Sequence, residues 1–342
     1  MAVDHLTAVS LFSGCGGFDW GATQAGVEII WANDIDRQAA AAYRKLFPNV
    51  DFVEGDIQQV KQFPRADIMI GCYPCTGFSL GARRRWRERE RDLSENDRNF
   101  LYREFLRALR QVQPEYLFVE NVKGMASAKA GWFLQRQLDG FRRHGYDVQA
   151  VPLNTADYGV PQTRRRLFIA GVRRRTGALQ YEFPKPTHGP LGTRPYLVLR
   201  DAIGDMAEWP DGEFFDYPFH GHYLTRNRKR GWQEPSYTIV ADAHHVPLHP
   251  IGEPMKFVEK DRWALQGTRN RRLSWRECAA VQGLEPDAFT SGSLAAKHRV
   301  IGNAVPPAVA KALIEPIVAF ESSRRGWAGG GPRLDMLYRV PR

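Results

Sequence analysis

The stretch Thr7-Ala8-Val9-Ser10-Leu11-Phe12-Ser13-Gly14-Cys15-Gly16-Gly17 decides the fold. Its first six residues read as a strand, and the apolar run stops in a turn of small residues. A strand, a glycine turn and then a helix make a nucleotide-site arrangement, because small residues let the backbone approach a ligand. The dinucleotide fingerprint G-x-G-x-x-G fails here, since Asp19 stands where its third glycine would be. An acid does follow twenty residues after Gly14: Asp34, at the end of the strand Glu28-Ile29-Ile30-Trp31-Ala32, where it could bond ribose hydroxyls. Asp56 closes the next strand, Phe52-Val53-Glu54-Gly55, in the same manner. Ribose and adenine recognition without a pyrophosphate loop suits S-adenosylmethionine better than a dinucleotide.

Short apolar runs continue to alternate with helical patterns through the first half, the signature of a mostly parallel α/β sheet. Strands are expected at Asp67-Ile68-Met69-Ile70, at Tyr116-Leu117-Phe118-Val119 and over 166–172, with helices over 37–47, 100–112 and 133–144. From about residue 176 prolines and glycines crowd in, and Ser236-Tyr237-Thr238-Ile239-Val240 looks like an isolated strand. Helical spacing returns over 274–282 and 308–320. The expected organisation is a first domain of residues 1–185 and 291–323. A second, irregular domain of residues 186–290 interrupts it before its last helix, and a glycine-rich tail covers 324–342.

The chain has 342 residues, 43 % of them hydrophobic and 25 % charged, with a net charge of +10. No apolar run approaches a membrane span, and the N-terminus lacks a signal-peptide pattern. Four cysteines at this length argue against a disulfide scaffold and for a reducing cytoplasm. The basic excess is clustered, with arginines at 83–85, 87, 89 and 91, at 164–166 and 173–175, at 226, 228 and 230, and at 269, 271 and 272. Interleaved with Trp86, Trp232 and Tyr223, these patches point to nucleic acid, and arginine suits bidentate contact with phosphate or guanine.

The chemistry centres on Gly71-Cys72-Tyr73-Pro74-Cys75-Thr76-Gly77-Phe78-Ser79. Zinc would need a second ligand pair that is missing, so no metal is expected. A thioredoxin-like redox pair would sit at a helix start in a small unit, not after the fourth strand of a large sheet. A nucleophile remains. Pro74 fixes its own φ and biases Tyr73 towards extended geometry, which holds Cys75 beyond a strand's carboxyl end. Glu120 ends the neighbouring strand and can supply a proton to whatever Cys75 attacks.

Together these motifs resemble the bacterial-type DNA (cytosine-5)-methyltransferase family over nearly everything except the irregular domain. Phe12-Ser13-Gly14-Cys15-Gly16-Gly17 resembles the family's cofactor loop, Pro74-Cys75 its nucleophile dipeptide and Glu120-Asn121-Val122 its glutamate motif. Gln162-Thr163-Arg164-Arg165-Arg166 matches its Q-x-R-x-R. The run from Arg276 to Gly283 resembles the motif that supports the recognition domain, and Ile301-Gly302-Asn303-Ala304-Val305-Pro306-Pro307 the last motif, which returns to the cofactor. Tyr73 and Thr76 depart from the family's usual proline and glutamine, and Asp34 replaces its glutamate.

The resemblance implies a Rossmann-like S-adenosylmethionine-dependent methyltransferase sheet carrying a smaller, irregular β-rich target recognition domain. It also implies methylation at C5 of a flipped cytosine in double-stranded DNA, through a cysteine adduct at C6. Cys75, Glu120, Arg164 and Arg166 are then catalytic, with Arg164 expected to hold the base's O2. Phe12, Ser13, Gly14, Gly16, Gly17, Asp34, Ile35, Asp56, Ile57, Pro74, Asn303 and Ala304 are expected at the cofactor. Ser79, Arg83, Arg84, Arg85, Arg226, Arg228, Arg230 and Arg271 are expected at DNA, the first four on a clamp running to Asn99. A cytoplasmic monomer with a cognate restriction endonuclease completes the expectation. An RNA methyltransferase of the family's tRNA-acting branch and a catalytically silent DNA-binding relative are the alternatives.

Overall fold

The computed structural model describes residues 5–74, 100–175 and 177–327. It divides into two compact units, one drawn from Met1–Leu153, Arg165–Pro184 and Ala310–Arg342, the other from Asn154–Arg164 and Lys185–Val309.

The first unit is built on seven strands: β1 (Leu6–Leu11), β2 (Val27–Asp34), β3 (Asp51–Glu54), β4 (Ile68–Gly71), β5 (Tyr116–Val122), β6 (Tyr146–Asn154) and β7 (Arg165–Arg173). Their order is β3-β2-β1-β4-β5-β7-β6. Pairings from β3 through β5 are parallel, and β7 runs antiparallel to β5. β1, β4 and β5 read as largely apolar runs because both faces are covered, with Thr7 and Ser10 in β1 and Glu120 and Asn121 in β5 as polar exceptions. Leu117 and Val119 pack with Phe105, Leu109, Phe133 and Phe141 of the helices Tyr102–Val112 and Trp132–Arg143. Phe118 points the other way and meets Phe18 and Tyr181 at ring-centroid distances of 6.0 and 5.8 Å. Gly71 lets the helix come down on β4, since a Cβ there would lie 2.5 Å from the Phe105 ring.

Strand order turns outward in opposite directions from β1 and β4, so the switch point lies between them. Leu11 pairs with Gly71, and Cys72 N–H donates to Leu11 O at 3.2 Å. The chain leaving β1 as Phe12–Gly17 and the chain leaving β4 as Cys72–Pro74 therefore start side by side.

The second unit holds the helices Leu199–Ile203, Trp275–Gln282 and Leu294–Asn303. Ser274 caps Trp275–Gln282 with a reciprocal pair of bonds to Glu277. Strand pairing among its described residues is limited to the hairpin β8 (Lys256–Glu259) and β9 (Arg262–Ala264) plus isolated bridges, less than the β-rich character expected. The expected strand at 236–240 is absent. Only Ser236 bridges, to Gln162, with main-chain bonds to Pro161 and Thr163, and Ile239 N–H donates to the Gln162 side chain, so no ladder extends along the segment. The last helix runs Pro307–Arg325, longer than expected, and the tail beyond Trp327 lies outside the described residues.

Candidate active site

The glycine turn is held on main-chain bonds. Phe12 takes a left-handed φ of 55°, a conformation that costs energy for a side chain of this size and recurs at functional sites. Ser13 donates through N–H and Oγ to Asn33 O. Gly14 N–H donates to Asp34 Oδ2 at 2.7 Å, and Asp36 N–H to Asp34 Oδ1 at 2.8 Å. Gly16, at φ 84°, lies so close to Phe47 and Tyr43 that a Cβ would stand 2.5 and 2.9 Å from their rings. Asp56 accepts Gln58 N–H, and Asn33 Nδ2 donates to Val53 O and Gly55 O. These bonds gather Ser13, Gly14, Asp34 and Asp56 at the carboxyl ends of β1, β2 and β3. Ile35 stands 69 % exposed beside them, whereas Ile57 is buried. Asn303 and Ala304 end the helix Leu294–Asn303 in the second unit, Asn303 exposed and Ala304 buried.

Asp19, the residue that spoils the dinucleotide fingerprint, is buried beneath this turn. Its carboxylate accepts Ser10 Oγ and Tyr43 Oη, both at 2.7 Å, so it ties β1 to the helix Arg37–Leu46. Burial pushes its pKa up to about 6, against the lowering effect of the two hydroxyls.

The second cluster forms at the ends of β4, β5 and β7. Gly71 pairs with Val119, and Val122 with Arg166, which sets Glu120 beside the exit of β4 and Arg166 beside Glu120. Arg166 Nε lies 3.2 Å from Glu120 Oε1. Burial lowers the Arg166 pKa, and the Glu120 charge works against that. Asn121 Nδ2 donates to Tyr73 O at 3.3 Å. Tyr73 meets Phe12 edge-on at 6.1 Å, and its Oη donates to Gln137 Oε1. No site role is expected of Tyr73, Gln137 or Asp19 from the sequence. The available signal was a polar residue on an otherwise apolar helical face, at Gln137.

Cys75, Ser79, Arg83, Arg84 and Arg85 lie outside the described residues. The described thiols are all suppressed as nucleophiles. Burial pushes Cys15 up to about 12. It also raises Cys72, which the charges of Glu120 and Asp19 push further, and Cys278, where Glu277 adds to it.

Several arginines take a role different from the one expected. Arg164 is buried, and its guanidinium donates to the carbonyls of Ile239, Gly302 and Ala304, which braces the second unit. Arg271 is buried in a bidentate pair with Glu277 at 2.7 and 2.8 Å. Arg228 is buried and donates to the carbonyls of Tyr223 and His245. Both guanidinium groups are engaged within the unit's own framework. Arg230 pairs with Glu234 at 2.6 Å and stacks over Tyr237, while Arg226 is exposed.

A family model described as C-5 cytosine-specific DNA methylase matches residues 6–319. The chain belongs to this family.

Two curated relatives of this DNA methylase are the Type II methyltransferases M.BsuRI of Bacillus subtilis and M.BspRI of Lysinibacillus sphaericus. The first is 39 % identical, over 92 % of this chain and 79 % of the relative. The second is 38 % identical, over 93 % and 82 %. Among solved structures, a mutant Spodoptera frugiperda DNMT2 shares the fold with a TM-score of 0.65 at 17 % identity, over 91 % of this chain and 98 % of that one. The methylase is a DNA cytosine-5 methyltransferase that uses S-adenosylmethionine. Among its described residues no helix is long and apolar enough to cross a membrane.

Proposed function

We propose that Cys75, Glu120 and Arg166 carry the methyl transfer, and that the carboxyl ends of β1 to β3 hold the cofactor. The observation behind this reading is the 3.2 Å pair of Arg166 and Glu120, beside the strand whose continuation leads to Cys75. Asp34 and Asp56 suit the ribose and adenine of S-adenosylmethionine, and the exposed Ile35 gives adenine an apolar surface. At Gly14 a Cβ would point into open space, which leaves the main chain accessible to a ligand. When bound, the cofactor supplies an electrophilic methyl group on a sulfonium, and its departing thioether takes the bonding electron pair.

Position C5 of cytosine is too weak a nucleophile to use that methyl unaided. The Cys75 thiolate adds to C6, N3 takes a proton from solvent that the Glu120 carboxylate stabilises, and the electron pair gathers at C5. Arg166 holds Glu120 in place and faces the same base, which takes over the part expected of Arg164. After C5 is methylated its proton passes to solvent, the C–H electron pair re-forms the C5=C6 bond, the C6–S pair leaves on the thiolate, and N3 gives its proton back. The base must first be flipped from the duplex, at a cost of a few kcal/mol.

Sequence recognition belongs to residues 186–290, and the arginine segment after Cys75 grips phosphates. A cognate restriction endonuclease in a bacterial cytoplasm fits the Type II names of the relatives. Bisulfite sequencing of plasmid from cells expressing the protein tests this. Wild type should protect cytosines in one short sequence, while Glu120→Gln and Arg166→Gln should leave it converted. Protection by Arg166→Gln equal to wild type would remove Arg166 from the site.

A further inference from the structure

The methyl group must pass from the cofactor to the base, and β4 lies on its way. With the cofactor at the carboxyl ends of β1 to β3 and the base against Glu120 on β5, the sulfonium and C5 meet over the end of β4, the strand between β1 and β5. The first residue beyond β4 is Cys72.

Sheet geometry sets where its side chain points. Leu117 and Val119 face the helices Tyr102–Val112 and Trp132–Arg143, so Phe118 and Glu120 face the other way, towards the helix Gly17–Gln24. Gly71 pairs with Val119, and a Cβ on Gly71 would meet Phe105 of the helix Tyr102–Val112. Cys72 therefore stands beside Glu120 on the opposite face, and its thiol meets the Glu120 main-chain N–H. On the other side Cys72 N–H donates to Leu11 O at 3.2 Å, where the chain enters the glycine turn. The charges of Asp19 and Asp34 reach the thiol from there. Tyr73, the next residue, turns back towards Phe105 and Gln137.

The Cys72 side chain thus lies between the turn that serves the cofactor and the carboxylate that serves the base. It is half-buried, which leaves part of it open to a ligand. Burial, and then the charge of Glu120, keep the thiol protonated, so it does not compete with C5 for the methyl group. What it offers is shape. Two heavy atoms, Cβ and Sγ, project from a main chain fixed by Leu11 O and, one residue on, by Asn121.

We propose that the Cys72 side chain is the wall that limits the group on the cofactor's sulfonium to methyl, and that removing it lets the enzyme bind and transfer a larger alkyl group. This rests on the placing of cofactor and base under the proposed function. An allyl group carries two carbons more than methyl, and Cys72→Gly removes two heavy atoms. The step is the same for either group: C5 forms the new C–C bond, and the C–S pair stays on the departing thioether. The double bond beside the reacting carbon keeps allyl electrophilic, so size is what separates the two donors.

The test measures Kd by calorimetric titration for S-adenosylhomocysteine, S-adenosylmethionine and its S-allyl analogue, and the mass of the cytosine product formed with each donor. Wild type should bind the allyl analogue about tenfold or more weakly than S-adenosylmethionine, the effect of one or two methylenes without room, and should give little allylcytosine. Cys72→Gly should close that gap and give allylcytosine, and Cys72→Ala should close part of it. Cys72→Ser, which keeps the size but not the sulfur, should keep the wild-type preference. S-adenosylhomocysteine has no third group on sulfur and should bind all four proteins about equally. A folded Cys72→Gly and Cys72→Ala that both keep the wild-type gap would overturn the proposal, as would a wild type with no gap. A wild type that binds neither S-adenosylhomocysteine nor S-adenosylmethionine would instead sink the placing of the cofactor.

Discussion

Tyr73 Oη donates a 2.5 Å hydrogen bond to Oε1 of Gln137, a side chain with no exposed surface. Gln137 in turn reaches Met125 Sδ through Nε2. The residue two before the nucleophile, where the family's usual pattern has proline, is thus pinned by a helix on the far side of β4. Tyr73→Phe leaves the Gln137 amide buried without that partner, so stability should fall by roughly 1–3 kcal/mol. The turn rate should fall more than affinity for S-adenosylhomocysteine, because the pinned segment carries Pro74 and Cys75. Tyr73→Phe/Gln137→Met removes both polar partners and should regain part of the stability, read by denaturant melts as a double-mutant cycle.

Arg164 and Arg166 should separate cleanly by readout. Arg166→Lys keeps the charge beside Glu120 but loses the planar fork, and single-turnover methylation should slow by roughly 100-fold with little change in melting. Arg164→Lys cannot reach three carbonyls at once. It should melt several degrees lower while the surviving folded protein keeps near-normal single-turnover chemistry. The opposite pattern would return the base contact to Arg164.

Strands buried on both faces were legible because burial leaves a mostly apolar run, as in β1, β4 and the first four residues of β5. β6 was not. It is the outermost strand, largely part-exposed, and its Asp147, Gln149 and Pro152 dilute the apolar signal. Glu120 was legible from its place at a strand end. The choice between Arg164 and Arg166 was not, because only Arg166 lies within β7, where the ladder sets it against Val122. The basic clusters pointed to nucleic acid without showing which cations are buried. Arg164, Arg228, Lys229, Arg271 and Arg272 are all buried, and several of their partners lie far along the chain, as with Arg272 and Phe215. Charge counted along a sequence says nothing of which cations are spent inside.

Asp19 makes stability depend on pH in a defined window. Its folded pKa of about 6 stands above the ordinary aspartate value of 3.8, so the protonated form is favoured in the folded state. The stability it contributes is complete below the unfolded pKa and is lost as pH rises through about 6, a span worth roughly 3 kcal/mol. Asp19→Asn cannot ionise. Relative to wild type it should gain stability between pH 4 and pH 7 and hold a constant difference above. Parallel melting curves for the two proteins across that window would show that Asp19 does not titrate there.

The paired cysteines give the sharpest test. Cys72 has its thiol raised by burial and by the charge of Glu120, so it stays protonated near neutral pH. Cys75 follows Pro74 in the chain and is assigned the thiolate in the proposed reaction. Fluorine at C5 cannot leave as a cation, so an adduct at C6 of 5-fluorocytosine should persist after methyl transfer. Wild type with S-adenosylmethionine should give a protein–DNA complex that survives denaturant. Cys72→Ser should still give it, since its role is packing. Cys75→Ser should give none, because a serine hydroxyl is largely un-ionised and a far weaker nucleophile. Glu120→Gln should form the complex much more slowly, N3 having lost its proton partner. A complex that survives in Cys75→Ser, or vanishes in a folded Cys72→Ser, would move the nucleophile to the other side of the proline.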